Sequence, residues 1–169
     1  MNVLITGAGG FLGSHIALQL LDAGHVVRGF SRGTYPTLEA LGVNWVQGDL
    51  RKQRDVSKAC EGMDAVIHTA AVPGIWGSWN MYYGINTLGT ANIIRAVQQH
   101  DIPYLVYTSS PSVVFDGKDQ SGISEEVPYP KTWLCHYPHS KALAEQQILA
   151  ANVDGQLATC ALRPHLIWG

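Results

Sequence analysis

The amino-acid sequence predicts a doubly wound α/β domain built on a parallel sheet of about six strands. Short β-branched runs alternate with longer amphipathic segments along the chain, the rhythm of strands joined by covering helices. Three glycines, Gly7, Gly10 and Gly13, fall between the first run and the first amphipathic segment, where a strand-to-helix turn is expected. No internal repeat, linker or low-complexity tract interrupts the 169 residues, so a single domain is expected over 1–169.

The elements follow in order. Asn2–Thr6 is expected as the first strand, residues 11–23 as a helix and residues 25–31 as the second strand. Asn44–Gln47 is the third strand, residues 51–60 a helix, Ala65–His68 the fourth strand and residues 82–100 a long helix. Residues 104–109 form the fifth strand. Residues 111–133 are rich in Gly, Pro, Asp and Ser without a sustained period, which predicts a long loop of the kind that carries function or is disordered. A helix over 138–152 is closed by the turn signal Asp154-Gly155, and residues 157–162 form the sixth strand. The chain stops in the apolar phrase Leu166-Ile167-Trp168-Gly169, unlike a domain boundary, and is expected to be a fragment of a longer protein.

Composition excludes several roles. Apolar residues make up 46% of the chain and charged residues 14%, enough for a core and too apolar for disorder. A net charge of -2 without any like-charge run gives no field to attract nucleic acid or anionic lipid, so neither is expected as a partner. Residues 1–21 are apolar but lack a basic start and are broken by glycines, and no stretch reaches the ~18 apolar residues of a membrane span. Cys60, Cys135 and Cys160 are widely spaced and odd in number, which argues against disulfides and zinc and for a reducing, cytoplasmic setting. The seven histidines show no HxH or HExxH spacing, and no metal is expected.

The glycine turn carries the first chemistry. Gly7, Gly10 and Gly13 let backbone approach a pyrophosphate and aim helix N-terminal amides at it. An acidic residue at the end of the second strand would bind the adenosine ribose diol of NAD, but Ser31-Arg32 stands there. A hydroxyl and a guanidinium suit a 2'-phosphate, so NADP is expected with NAD possible, unless Arg32 is only a solvated loop residue. Asp49-Leu50 is open between an adenine contact and a helix cap.

Tyr137 and Lys141 lie four residues apart on one helical face, where the ammonium can lower the phenol pKa and create a proton relay. Ser109 and Ser110, at the carboxyl end of the fifth strand, stand where open α/β sheets bind ligands, and Ser110 is the first choice to hold a reacting oxygen. Trp76, Trp79, Tyr82 and Tyr83 are open between lining an apolar substrate pocket and packing on the sheet. Ile85, Leu88 and Ile93 on one helix, with Leu143, Ile148 and Leu149 on another, exceed what one sheet face readily buries, and a homodimer is expected.

Together, Gly7-Ala8-Gly9-Gly10-Phe11-Leu12-Gly13, Thr108-Ser109-Ser110, Tyr137-Pro138-His139-Ser140-Lys141 and Leu162-Arg163-Pro164 resemble the extended short-chain dehydrogenase/reductase family. Thr132-Trp133, Ala142-Leu143-Ala144-Glu145 and Thr159-Cys160-Ala161 make the sequence similar to its 3β-hydroxysteroid dehydrogenase and sterol-4α-carboxylate 3-dehydrogenase branch, whose bacterial relatives reduce 2-alkyl-3-ketoacids. The resemblance implies a Rossmann-type NAD(P)-binding domain without the C-terminal substrate region. It further implies Tyr137 as acid/base, Lys141 as its activator and nicotinamide-ribose ligand, and Ser110 as orienter of the substrate oxygen. Cofactor contacts are implied at Gly7, Gly10, Phe11, Leu12, Gly13, Ala70, Ala71, Asn86, Ser109 and Pro164, beside Ser31, Arg32, Asp49 and Leu50. The implied reaction is hydride transfer between a secondary alcohol and a ketone. A sugar-nucleotide epimerase or dehydratase, or a catalytically silent NADP-binding domain, are the alternatives.

Overall fold

A computed structural model describes residues 1–168. Six strands, β1 (Asn2–Thr6), β2 (Val26–Ser31), β3 (Asn44–Gln47), β4 (Ala65–His68), β5 (Tyr104–Thr108) and β6 (Ala158–Leu162), form one sheet in the order β3-β2-β1-β4-β5-β6. All pairings are parallel, and β1 is central, with Val3 opposite Val27 on one side and Ala65 on the other. The chain order reverses between β1 and β4, the place where such folds open a crevice at the strands' carboxyl ends.

Helices α1 (Phe11–Asp22) and α2 (Pro36–Ala40) cover one face. There Val3, Ile5 and Val27 pack with Ala17 and Leu38. Helix α3 (Gln53–Cys60), helix α4 (Trp79–Tyr82), a π-helical segment (Tyr83–Thr87), helix α5 (Leu88–Gln99) and helix α6 (His136–Ala150) lie on the other face. Leu4, Phe30, Val66, Leu105 and Tyr107 meet Val56, Ile93 and Ile148 in its core. A sheet buried on both faces explains why β1 reads as a continuous apolar run. Under β5 and β6 the first face stays open, with Tyr104, Cys160 and Leu162 exposed. Among the described residues, no helix is long and apolar enough to cross a membrane.

Several boundaries differ from the sequence reading. Helix α2 has only five residues, opened by Pro36, too short to show a period. The expected helix over 82–100 begins earlier, at Trp79, where the Ser78 hydroxyl accepts from the Met81 amide at 3.3 Å. Helix α3 starts at Gln53 because Asp49 and Arg51 close a local turn ahead of it. The loop after β5 opens with a 3-10 turn, Pro111–Val114, capped by Ser110. The outward apolar stripe is also smaller than expected. Ile93 and Ile148 belong to the core, Ile85 and Leu143 are half-buried, and only Leu88 and Leu149 are exposed.

Candidate active site

The turn after β1 is built by close backbone approach. Gly7, at φ +71, donates its amide to Phe30 O at 2.8 Å, and a Cβ added there would lie 2.9 Å from Ala70 N. A Cβ on Gly13 would lie 2.3 Å from Gly7 O, so Gly13 seats α1 against the turn. Gly13 is absent from the walls of the two cavities that open beside the turn, and the structure shows it packed against Gly7 and Ala8. Gly10 precedes α1 without a side-chain cap, leaving the first-turn amides free to face an anion.

A cavity of about 340 Å³ opens over this turn. Gly7, Gly9 and Gly10 form its floor, Ser31, Arg32 and Tyr35 one wall, and Asp49, Leu50, Ala70 and Ala71 the other. The Ser31 hydroxyl donates to Gly33 O at 3.0 Å, and Arg32 is exposed. Asp49 is neither a free carboxylate nor the cap of α3, whose N-cap position is Lys52. Its Oδ1 accepts the Arg51 amide at 2.9 Å, and the hydrogen bond from the Arg51 side chain holds its pKa down at about 2.

A second cavity, of about 550 Å³, continues from the first through Thr69 and Ala71. Phe11, Leu12, Ser109, Ser110, Tyr137, Lys141 and Pro164 line it, so α1, the end of β5, α6 and the segment after β6 meet there. Helix α6 brings Tyr137 and Lys141 to the same wall. The Ser110 hydroxyl shares a 2.8 Å hydrogen bond with Ser112 and accepts from the Ser112 amide. A third cavity, of about 330 Å³, shares Ser110 and Tyr137 with the second. Its remaining wall is mostly apolar, with Ile75, Phe115, Leu134 and Pro138 beside Ser112 and Cys135.

The electrostatics differ from the expected relay. Burial raises the Tyr137 pKa, with the Ser110 hydroxyl pulling against it. The Lys141 ammonium is directed to Thr108 O at 2.6 Å and sits 4.2 Å from the centre of the Tyr107 ring. Burial lowers its pKa to about 7, against a smaller opposing pull from Glu145. Glu145 is buried one turn further along α6, bonded by Arg163 at 2.6 Å and by the Tyr129 hydroxyl at 2.7 Å. This cluster ties α6 to β6 and to the long loop.

Beneath the cavities runs a buried polar chain. Thr90 Oγ1 donates to Asn86 O at 2.6 Å and therefore accepts from His68 Nε2 at 2.9 Å. His68 Nδ1 then accepts the Thr6 hydroxyl at 2.6 Å, which fixes a neutral imidazole with its proton on Nε2. Burial pushes the His68 pKa down to about 3. Asn86 is fully engaged. Its Oδ1 accepts Val72 N, and its Nδ2 donates to Val72 O and to Ser140 Oγ. These bonds hold the loop after β4 to α6, below the walls of the two cavities.

The sequence reading missed Tyr35, Thr69, Ile75, Phe115, Leu134 and Cys135 as cavity walls. These sit in connecting segments without motif or period, so only the fold brings them in. Of the aromatic group, Tyr82 is buried against Tyr137, with ring centres 6.2 Å apart, while Trp76 is exposed and lines none of these cavities. Trp79 packs against His139, and Trp133 stacks on the same imidazole at 4.2 Å. Among the described residues, no three His, Cys, Asp or Glu side chains converge to hold a metal ion.

Comparison with known proteins agrees with this architecture. The model of the 3-beta hydroxysteroid dehydrogenase/isomerase family matches residues 4–169. A 2-alkyl-3-oxoalkanoate reductase of Shewanella oneidensis is 49% identical over 99% of this chain and 45% of its own length. A 3 beta-hydroxysteroid dehydrogenase/Delta 5-->4-isomerase of Mycobacterium tuberculosis is 38% identical over 99% of this chain and 47% of its own. Among solved structures, UDP-glucose 4-epimerase of Thermus thermophilus in complex with NAD superposes with a TM-score of 0.82 at 28% identity, covering 96% of this chain and 54% of that one. The chain spans about half the length of the curated relatives it matches. With the glycine turn, the Tyr137 helix and a match over nearly its whole length, the chain belongs to the 3-beta hydroxysteroid dehydrogenase/isomerase family.

Proposed function

We propose that this chain supplies the nucleotide-binding and catalytic part of an NAD(P)-dependent oxidoreductase that interconverts a secondary alcohol and a ketone. The substrate is a 3-oxoalkanoate or 3β-hydroxysteroid type of molecule, and NADP(H) is the preferred cofactor. The observation that carries this reading is the convergence of Ser110, Tyr137 and Lys141 on a cavity continuous with the glycine turn. The residues fit a dinucleotide: Cβ atoms at Gly7 and Gly13 would fill the cradle or break it, and α1 begins uncapped by any side chain. The exposed Arg32, with no carboxylate in the Ser31–Arg32 turn, supports recognition of a 2'-phosphate.

When bound, the nicotinamide supplies the hydride. Tyr137 moves the proton, giving it to the carbonyl oxygen in reduction and taking it back in oxidation. Its raised pKa keeps the phenol in the donating form at neutral pH. Ser110 orients the same oxygen by hydrogen bonding, and Lys141, one helical turn from Tyr137, would hold the nicotinamide ribose. The apolar third cavity beside Tyr137 favours an alkyl or steroid substituent over a sugar nucleotide.

In a full-length protein carrying this sequence, NADPH oxidation is expected with 3-oxoalkanoates or 3-oxosteroids. Tyr137→Phe is expected to lower kcat by about 10²–10⁴-fold while leaving NADPH affinity nearly unchanged. Turnover of UDP-sugars alone, or parental turnover in Tyr137→Phe, overturns the reading. We also infer a homodimer, supported by the exposed Leu88 and Leu149 on the neighbouring helices α5 and α6.

A further inference from the structure

Tyr35, the residue that precedes α2, holds a position that no motif explains. Its ring lies flat over Gly9: a Cβ added to Gly9 would stand 2.0 Å from Tyr35 Cζ and 2.2 Å from Cε2. The far end of the ring therefore fills the space that any side chain at position 9 would take. The ring also leans on Trp45, with centres 4.9 Å apart and a 45° tilt, and Trp45 Nε1 donates to Gly33 O at 2.9 Å. The Tyr35 hydroxyl is 3.6 Å from the point where a Cβ on Gly33 would sit. The phenol thus stands between the glycine turn and the turn carrying Arg32, facing the same cavity as both.

We propose that Tyr35 is a nucleotide-specificity residue, whose hydroxyl joins Arg32 in holding the 2'-phosphate of NADP(H) and whose ring walls the adenosine ribose. This rests on the NADP reading above. A phenol is a neutral donor that suits a phosphate oxygen and gives no preference to a ribose diol. A side chain at position 9 would have to displace the ring, so Gly9 accommodates Tyr35 on the cavity floor. The ring also sets the spacing between the two anion sites, the amides at the start of α1 and the guanidinium of Arg32.

Calorimetric titration of the 169-residue chain with NADPH and with NADH tests this, in the parent, Tyr35→Phe, Gly9→Ala and the double variant, with circular dichroism to establish folding. The Tyr35→Phe substitution keeps the wall and removes one hydrogen bond to a charged group. It is expected to weaken NADPH about tenfold and NADH less than about twofold. Gly9→Ala displaces the ring and is expected to weaken NADPH at least as much. In that background Tyr35→Phe then has little further effect. A parent that prefers NADPH, with a Tyr35→Phe variant of unchanged NADPH-to-NADH ratio, overturns the role of Tyr35 alone. A parent with no NADPH preference overturns the cofactor reading beneath it. If Gly9→Ala does not fold, the Tyr35→Phe ratio decides by itself.

Discussion

Replacing Lys141 with methionine should make the protein more stable in mild acid and less stable in alkali. The Lys141 ammonium is buried, bonded to Thr108 O at 2.6 Å and 4.2 Å from the Tyr107 ring centre, yet burial lowers its pKa from 10.5 to about 7. A folded value below the unfolded one means that the folded chain binds fewer protons over that interval. Stability therefore rises with pH between those values, and the full cost of the ammonium is present below about 7. At about 1.4 kcal/mol per pH unit that cost is on the order of 5 kcal/mol. Methionine fills similar space but leaves the Thr108 carbonyl without its donor, a loss of about 1–3 kcal/mol. Lys141→Met should thus raise the unfolding free energy by roughly 2–4 kcal/mol near pH 6 and lower it by about 0–2 kcal/mol near pH 10, where about 1 kcal/mol of the ammonium cost remains. Urea unfolding followed by circular dichroism at both pH values, with an unchanged m-value, measures this directly. A variant less stable at pH 6, or a difference independent of pH, refutes the reasoning.

Two further outcomes are expected from the described geometry. Glu145→Gln should cost about 3 kcal/mol at neutral pH, because Arg163 loses its charged partner while staying half-buried. Burial would raise the Glu145 pKa, but the bonds from Arg163 and Tyr129 outweigh it and leave a lowered value. Its contribution is then present above the unfolded pKa and lost as pH falls through the folded one, so parent and variant should converge in acid unfolding. Parallel acid titrations that never converge would count against the pair. Light scattering at micromolar concentration should give a dimer mass, with Leu88→Asp shifting it to monomer; a concentration-independent monomer mass in the parent removes the proposed α5–α6 interface.

How far the sequence was legible depends on the kind of constraint. Gly7 and Gly13 announced the turn because a Cβ at either would stand 2.3–2.9 Å from other backbone atoms, a closeness that leaves room only for glycine. Tyr137 and Lys141 were readable because helical spacing alone puts them on one wall. The direction of the Tyr137 pKa was not readable, since it comes first from burial, a consequence of packing. The partners of Asn86 were not readable: its amide bonds to Val72 and Ser140, which no local pattern brings together. Tyr35 was missed because a single aromatic in a short turn carries no period, and its meaning depends on Gly9 across the cavity.

The π-helical segment Tyr83–Thr87 gives the long helix two phases. In a regular α-helix each residue turns by about 100°, so one extra residue in the ladder rotates the turns before it by about that angle relative to the turns after it. Downstream, Ile93 and Val97 keep the phase that meets the sheet. Upstream, Tyr82 and Trp79 take a different phase and reach Tyr137 and His139 on α6. Losing one residue here would act as a rotation rather than a shortening. The core half of the helix would stay seated while its aromatic half swung away from the proposed proton donor, which makes the length of this segment, more than its composition, the feature on which the wall behind Tyr137 depends.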